Sequence, residues 1–266
     1  MAACYVPFNS KNLDMSFFVF KPTVVIVENL VHGLKKFSSQ TQSLGCLQSS
    51  IFRSIHGNLI IWYGAWQKRS SEKKEQLTET LLSMLKGVSS MGVLVEHSFL
   101  DTYAGESRDG ASSAKFCSGD IITMNSVSTT NKDLSDLCYA VLALFRSRFA
   151  KTEGIASGLC LKGQSMPRVI CIQVWKSLQL CYSWILNFDH RKWVLPYLER
   201  FSTFDIKYDI YRVVYVSGDI NNTNNNDSNH NGVNLQGSSS SSHHQMLENN
   251  AEESFNDRNT RLDAKT

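Results

Sequence analysis

Apolar positions switch repeatedly between a period of two and a period near 3.6, and the switches divide the chain into elements. Met15 to Phe20 is a short apolar run rich in aromatics and reads as a strand. Pro22 suits the first turn of a helix, and Val27, Leu30, Val31, Leu34 and Phe37 follow at helical spacing. Cys46 to Ile55 and Leu59 to Trp66 read as two strands around a His56-Gly57-Asn58 turn. Ser70 or Ser71 offers a cap for a second helix carrying Leu77, Leu81, Met84, Leu85 and Val88, and Gly92 to Phe99 is the next strand.

That order, β-α-β-β-α-β, is read a second time further along. Asp120 to Asn125 is a strand, and Thr130 or Asn131 caps a helix with Leu134, Leu137, Cys138, Val141, Leu144, Phe145 and Phe149 on one face. Ser157 to Lys162 and Arg168 to Trp175 are strands. Trp193, Val194, Tyr197, Leu198 and Phe201 suggest a last helix, and Asp205 to Val216 a last strand. The extra residues Lys176 to Phe188 read as an extension of the sheet.

Local likenesses accompany the order. Gly158-Leu159-Cys160-Leu161 answers Leu44-Gly45-Cys46-Leu47, and Val169 to Ile172 answers Leu59 to Trp62. The expectation is therefore an α+β protein of two tandem βαββαβ (ferredoxin-like) repeats of about 110 residues, packed as a pseudo-dimer. The first repeat and a linker occupy 1–110, and the second 111–218. An Asn/Ser-rich tail, 219–266, is expected to be disordered. Asn221 to Asn234 and Ser238 to Ser242 cannot bury enough apolar area to offset the entropy of ordering them.

Composition narrows the class. The chain has 266 residues, 42% of them hydrophobic, which is enough for a sizeable core. No apolar run approaches the ~18 residues of a membrane span, and Met1 to Phe8 lacks the basic and apolar regions of a secretory signal. The seven cysteines show no C-x-x-C spacing and several sit in apolar runs. They read as reduced, structural thiols of a cytoplasmic or nuclear protein. From Ser217 to Thr266, seven acidic residues against three basic ones give −4, which leaves +7 on the body of this +3 chain. That modest charge does not imply a nucleic-acid partner.

No nucleophile elbow, zinc-protease motif or glycine-rich phosphate loop occurs, so no catalytic residue, metal ligand or cofactor is assigned. The richest polar stretch, Glu96 to Gly110, falls where the first repeat gives way to the second. It supplies the ligand-binding candidates Glu96, His97, Asp101, Tyr103, Glu106 and Arg108, against the plainer reading of a solvated linker. Glu96 and His97, adjacent on a strand, point to opposite faces. The body histidines His32, His56, His97 and His190 lie on separate elements. Phe17, Phe18, Phe20, Trp62, Tyr63 and Trp66 would bind RNA bases only if their sheet face were open; a sheet covered on both sides is the plainer reading.

Ser54 to Trp66, Glu96 to Phe99, Tyr103 to Gly110, Val6-Pro7-Phe8-Asn9 and Phe17 to Phe20 together resemble an uncharacterised family of plant proteins with a domain of unknown function. The resemblance spans about residues 4 to 216 and implies a plant source; it assigns no functional residue. Missing catalytic motifs, a doubled fold and a recruiting tail favour a non-enzymatic interaction or assembly module whose partner is another protein, with no membrane involved. The alternative is a small-ligand-binding protein or enzyme using a cavity between the two halves, and the third is an RNA-binding sheet.

Overall fold

Strand β4 (Ile60–Gln67) is buried at seven consecutive positions, which a one-sided sheet does not allow. Its residues alternate between two different cores. Ile61, Tyr63 and Ala65 face one with Met15, Phe17, Ile122 and Ile172, whereas Ile60, Trp62 and Trp66 face another with Leu30, Leu34 and Leu81. The computed structural model describes residues 2–187, 198–201 and 203–217. The tail expected from Asp219, His190 and most of the helix expected around Trp193 lie outside the described residues.

Eight strands form a closed antiparallel barrel in the order β10-β3-β4-β2-β5-β8-β9-β7. Besides β4 these are β2 (Leu13–Pro22), β3 (Cys46–Ser54), β5 (Gly92–Ser107), β7 (Ile121–Thr129), β8 (Ile155–Gly163), β9 (Arg168–Trp175) and β10 (Thr203–Val216). Helices α1 (Val27–Gln42) and α2 (Ser71–Leu85) bury their apolar residues against the first four strands. Helices α3 (Ser135–Phe149) and α4 (Leu178–Asn187) do the same on the other four. A short ribbon, β1 (Ala3–Pro7) paired with β6 (Ser113–Cys117), puts Cys4, Val6, Ala114 and Phe116 into the barrel core.

This closure overturns the expected fold of two tandem ferredoxin-like repeats packed as a pseudo-dimer. Separate four-stranded sheets would leave β3, β5, β8 and β10 as edges with unpaired backbone groups. Instead β5 pairs with β2 through its first half and with β8 from Leu100 to Ser107. Likewise β10 pairs with β7 and then, from Tyr211, with β3. The two long strands thus carry the hydrogen-bond ladder across both seams, and the barrel interior is one shared core. The stretch expected as a linker is therefore largely strand. The segment expected to extend the sheet forms α4 instead, with Cys181 on its buried side.

Trp62 and Tyr63 are 0% and 2% exposed, so these strands offer no open aromatic face. Three buried indoles are satisfied: Trp62 Nε1 donates to Ser38 Oγ (2.7 Å), Trp66 Nε1 to Ser16 Oγ (2.9 Å) and Trp175 Nε1 to Thr123 Oγ1 (3.0 Å). Gly64 is required beside Trp62, because a Cβ there would lie 2.5 Å from the indole. Ser70 caps α2 as expected, its side chain accepting from Lys73 N. Helix α3 begins later than expected, with Asp133 Oδ1 accepting from Ser135 N at 2.9 Å.

One buried carboxylate ties the two halves together. Asp14 accepts from Gln164 Nε2 (2.6 Å) and from Arg69 N (2.9 Å), and it pairs with Lys68 Nζ at 3.0 Å. Burial by itself would raise its pKa, but Gln164, the Arg69 amide and Lys68 together hold it below the ordinary carboxylate range. A depressed folded-state pKa gives stability that is complete above the unfolded value of about 3.9 and is lost as pH falls through the folded value. The melting temperature is expected to hold steady from pH ~7 to ~5 and to fall below about pH 4. Asp14→Asn should lower it at neutral pH and flatten that acid limb; an unchanged acid limb in thermal melts would contradict the assignment.

Candidate functional site

The helix-covered faces of the two halves are filled differently. On the first, Phe18 lies opposite Trp62 across β2–β4, with their rings 5.7 Å apart and Phe37 of α1 4.8 Å from the indole. On the second, the central pair of β7–β9 is Asn125 opposite Cys171. Two large rings are replaced by an amide and a thiol, and a cavity of about 280 Å3 lies there, between α3, α4 and the sheet.

Val127, Val141, Leu144, Phe145, Ile185, Leu198 and Ile206 form its apolar walls. Helix α3 can pack this closely because position 158 is glycine; a Cβ there would lie 2.5 Å from the Phe145 ring. The polar lining consists of Asn125, Gln173, Arg148, Tyr208 and Cys171. Gln173 is almost fully buried, and its Oε1 accepts from Thr123 Oγ1 at 3.2 Å. Among the described residues its Nε2 has no acceptor, and the Asn125 amide has no side-chain partner. The Gln173 NH2 and the Asn125 amide, set inside an apolar wall, are polar groups open to a ligand.

Burial dominates the electrostatics. It lowers the Arg148 pKa, against the opposing influence of Cys171 and Tyr208, and an arginine remains cationic even so. It raises the Tyr208 hydroxyl well above the ordinary phenol range, with Cys181 adding to the effect. Arg148 also lies over the Trp184 ring of α4, 5.7 Å from its centroid. Tyr208 is therefore neutral at pH 7. The cavity joins a cation, a phenol and two amides to an apolar body, a lining suited to a compact ring system carrying one oxygen.

None of the six sequence-derived candidates lines this cavity. Glu96 turns into the barrel and forms an ion pair with Arg168. His97, on the opposite face of β5, stacks on Phe18 at 5.7 Å and is exposed. Asp101 and Tyr103 are brought together in an open cleft of about 620 Å3 beside Lys68, Lys74, Lys132 and Lys162. Asp101 is already engaged by Lys68 Nζ (2.5 Å) and Gln164 Nε2 (2.9 Å), and Tyr103 Oη donates to the Cys138 carbonyl at 3.1 Å. Glu106 is exposed on β5. Arg108 opens the turn after β5, donating to the carbonyls of Phe149, the last residue of α3, of Thr152 just beyond it, and of Ile155 at the start of β8.

The residues that do line the cavity carried a sequence signal. Gln173 interrupts the run Val169 to Trp175, all of it buried, and Asn125 closes the apolar stretch Ile121 to Met124. A polar side chain at the centre of a two-sided strand needs a partner or a function. All seven cysteines are free thiols. Among the described residues no group of three or more His, Cys, Asp or Glu is placed to hold a metal ion, and no helix is long and apolar enough to cross a membrane.

A family model described as a domain of unknown function (DUF7392) matches residues 98–211, a span that contains every residue lining the cavity. The match says nothing of a plant source. No curated protein matches the chain. Among solved structures, an anthrone oxidase-like protein is similar at 16% identity, over 80% of this chain and 95% of that one, with a TM-score of 0.63. A putative monooxygenase from Fusobacterium nucleatum subsp. nucleatum is similar at 7% identity over 77% of this chain and 94% of that one, with a TM-score of 0.55. At such identities the likeness is one of fold alone.

Proposed function

We propose that the protein binds a compact, mainly apolar ring compound, of one to three rings with an oxygen substituent, in the cavity between α3, α4 and the sheet. The observation that carries this reading is the Asn125 amide and the Gln173 NH2, polar groups set in apolar walls where the first half has packed rings. A volume of 280 Å3 suits such a molecule, since apolar cavities of about half that size hold benzene. The cavity favours a ligand-binding protein or enzyme over an interaction or assembly module. Titration of the full chain with 1-naphthol, followed by its fluorescence, is expected to show saturable binding in the micromolar range. Binding that fails to saturate, or a Gln173→Leu variant that binds equally well, would refute the assignment.

A second reading adds chemistry, and the likeness to an anthrone oxidase-like protein favours it. Oxidation of an anthrone-type methylene to a ketone consumes one dioxygen and releases one water, so it balances with dioxygen as the only oxidant. Arg148 would stabilise the enolate formed when the methylene loses a proton to solvent water. Oxygen-electrode traces with anthrone should then show uptake that Arg148→Met reduces at least about tenfold; uptake no faster than in buffer limits the site to binding.

A further inference from the structure

The barrel has a second cavity, on the other side of β9. Its volume is about 580 Å3, and Phe17, Val19, Ile61, Met124, Ile170 and Tyr211 give it apolar walls. Its lining comes from strands of both halves. Ile206 and Tyr208 of β10 border both cavities, but across β9 they lie on opposite faces: Ile170 lines this one, and Cys171, the next residue, lines the other.

Besides the exposed Lys207 and the half-buried Asp209, the lining holds one more deeply placed ion pair, Glu96 with Arg168, whose side chains are 22% and 8% exposed. A buried pair of this kind gains little stability over apolar residues of the same size, so stability alone does not explain it. The pair is also incompletely used. Arg168 reaches Glu96 Oε1 through Nη1 and Ser128 Oγ through Nε (3.1 Å). Among the described residues neither Arg168 Nη2 nor Glu96 Oε2 has a further partner. A donor and an acceptor therefore remain together on one wall, with Asp205 a further negative charge acting on Arg168.

We propose that the barrel cavity binds an uncharged, mainly aliphatic alcohol, its hydroxyl donating to Glu96 and accepting from Arg168 while its hydrocarbon body fills the apolar interior. A carboxylate would compete with Glu96 for Arg168, and an ammonium would compete with Arg168 for Glu96. Either ion would leave one buried charge unpaired, so selection is for the neutral molecule. The volume accommodates roughly ten to twenty non-hydrogen atoms.

Isothermal titration of the full chain with 1-adamantanol, 1-adamantanecarboxylate and 1-adamantanamine tests this. The alcohol is expected to bind, and both ions at least about tenfold more weakly. Ile170→Trp should weaken the alcohol about tenfold or more, whereas Cys171→Trp, on the opposite face, should change it less than about twofold. Should Ile170→Trp fail to fold, Ser126→Phe, at a less buried position of the same lining, gives the same readout. Glu96→Gln should improve carboxylate binding several-fold by freeing Arg168. Equal binding of all three compounds, no binding of the alcohol, or loss of binding in Cys171→Trp alone would overturn the proposal. The naphthol site stands or falls separately, because its own blocking variant is Cys171→Trp.

Discussion

Replacing Cys171 by tryptophan is expected to abolish 1-naphthol binding, by at least about a hundredfold, and to leave the chain folded. The first half of the barrel already carries this arrangement, with Trp62 opposite Phe18 and its indole packed under Phe37. At the corresponding place on the second half Cys171 lies opposite Asn125 beside 280 Å3 of open space. An indole in that space would displace the ligand's ring and cover both amides. Val141→Phe, which enters the same cavity from α3, should act in the same direction with a smaller effect. Naphthol titration and thermal melts decide the outcome together. Lost binding with a near-native melt supports the site, and retained binding in both folded variants places the ligand elsewhere.

Leu34→Asp is expected to prevent soluble expression or to cost several kcal/mol. Leu34 is 0% exposed on α1, packed in a core with Phe18, Phe20 and Trp62. An aspartate there has no cation within that cluster, so its charge would be buried unpaired. By contrast Glu106→Ala, at an exposed position of β5, should shift stability by no more than ~0.5 kcal/mol. Urea unfolding of both variants tests the contrast, and a stable Leu34→Asp protein would mean that α1 does not cover this face.

The contrast between Leu34 and Glu106 also shows how far the sequence could be read. Leu30, Leu34 and Phe37 on α1 and Leu137, Val141 and Phe145 on α3 follow the helical period, and all are buried. Strands β7 and β9 were legible as short apolar runs of strand length. The closing of the barrel was not, because it rests on β5 meeting β8 and β10 meeting β3, pairings between segments tens to more than a hundred residues apart that leave no local pattern. The ribbon of β1 and β6 was missed because each strand has five residues, too few for a period to register. Leu178 to Asn187 is a short apolar run that periodicity alone does not assign to helix or strand.

The cavity was hidden for a different reason. Clusters of charge draw attention, so Glu96 to Gly110 supplied the candidates, and the structure distributes those residues among an ion pair, a ring stack, a lysine-lined cleft and a helix end. An empty space is made by what is small, here Asn125 and Cys171, and is recognised only against the rings that fill the other half. The local signals were Gln173, a polar residue inside the buried apolar run Val169 to Trp175, and Asn125 in the paired strand.

The most direct test of the cavity is a crystal structure of the full chain soaked with 4-bromo-1-naphthol, with the bromine located by anomalous scattering. A peak between α3 and strands β7 and β9, with the hydroxyl within hydrogen-bonding distance of Asn125 or Gln173, is the result expected. A fully occupied ligand found only elsewhere, with this space still empty, would contradict it.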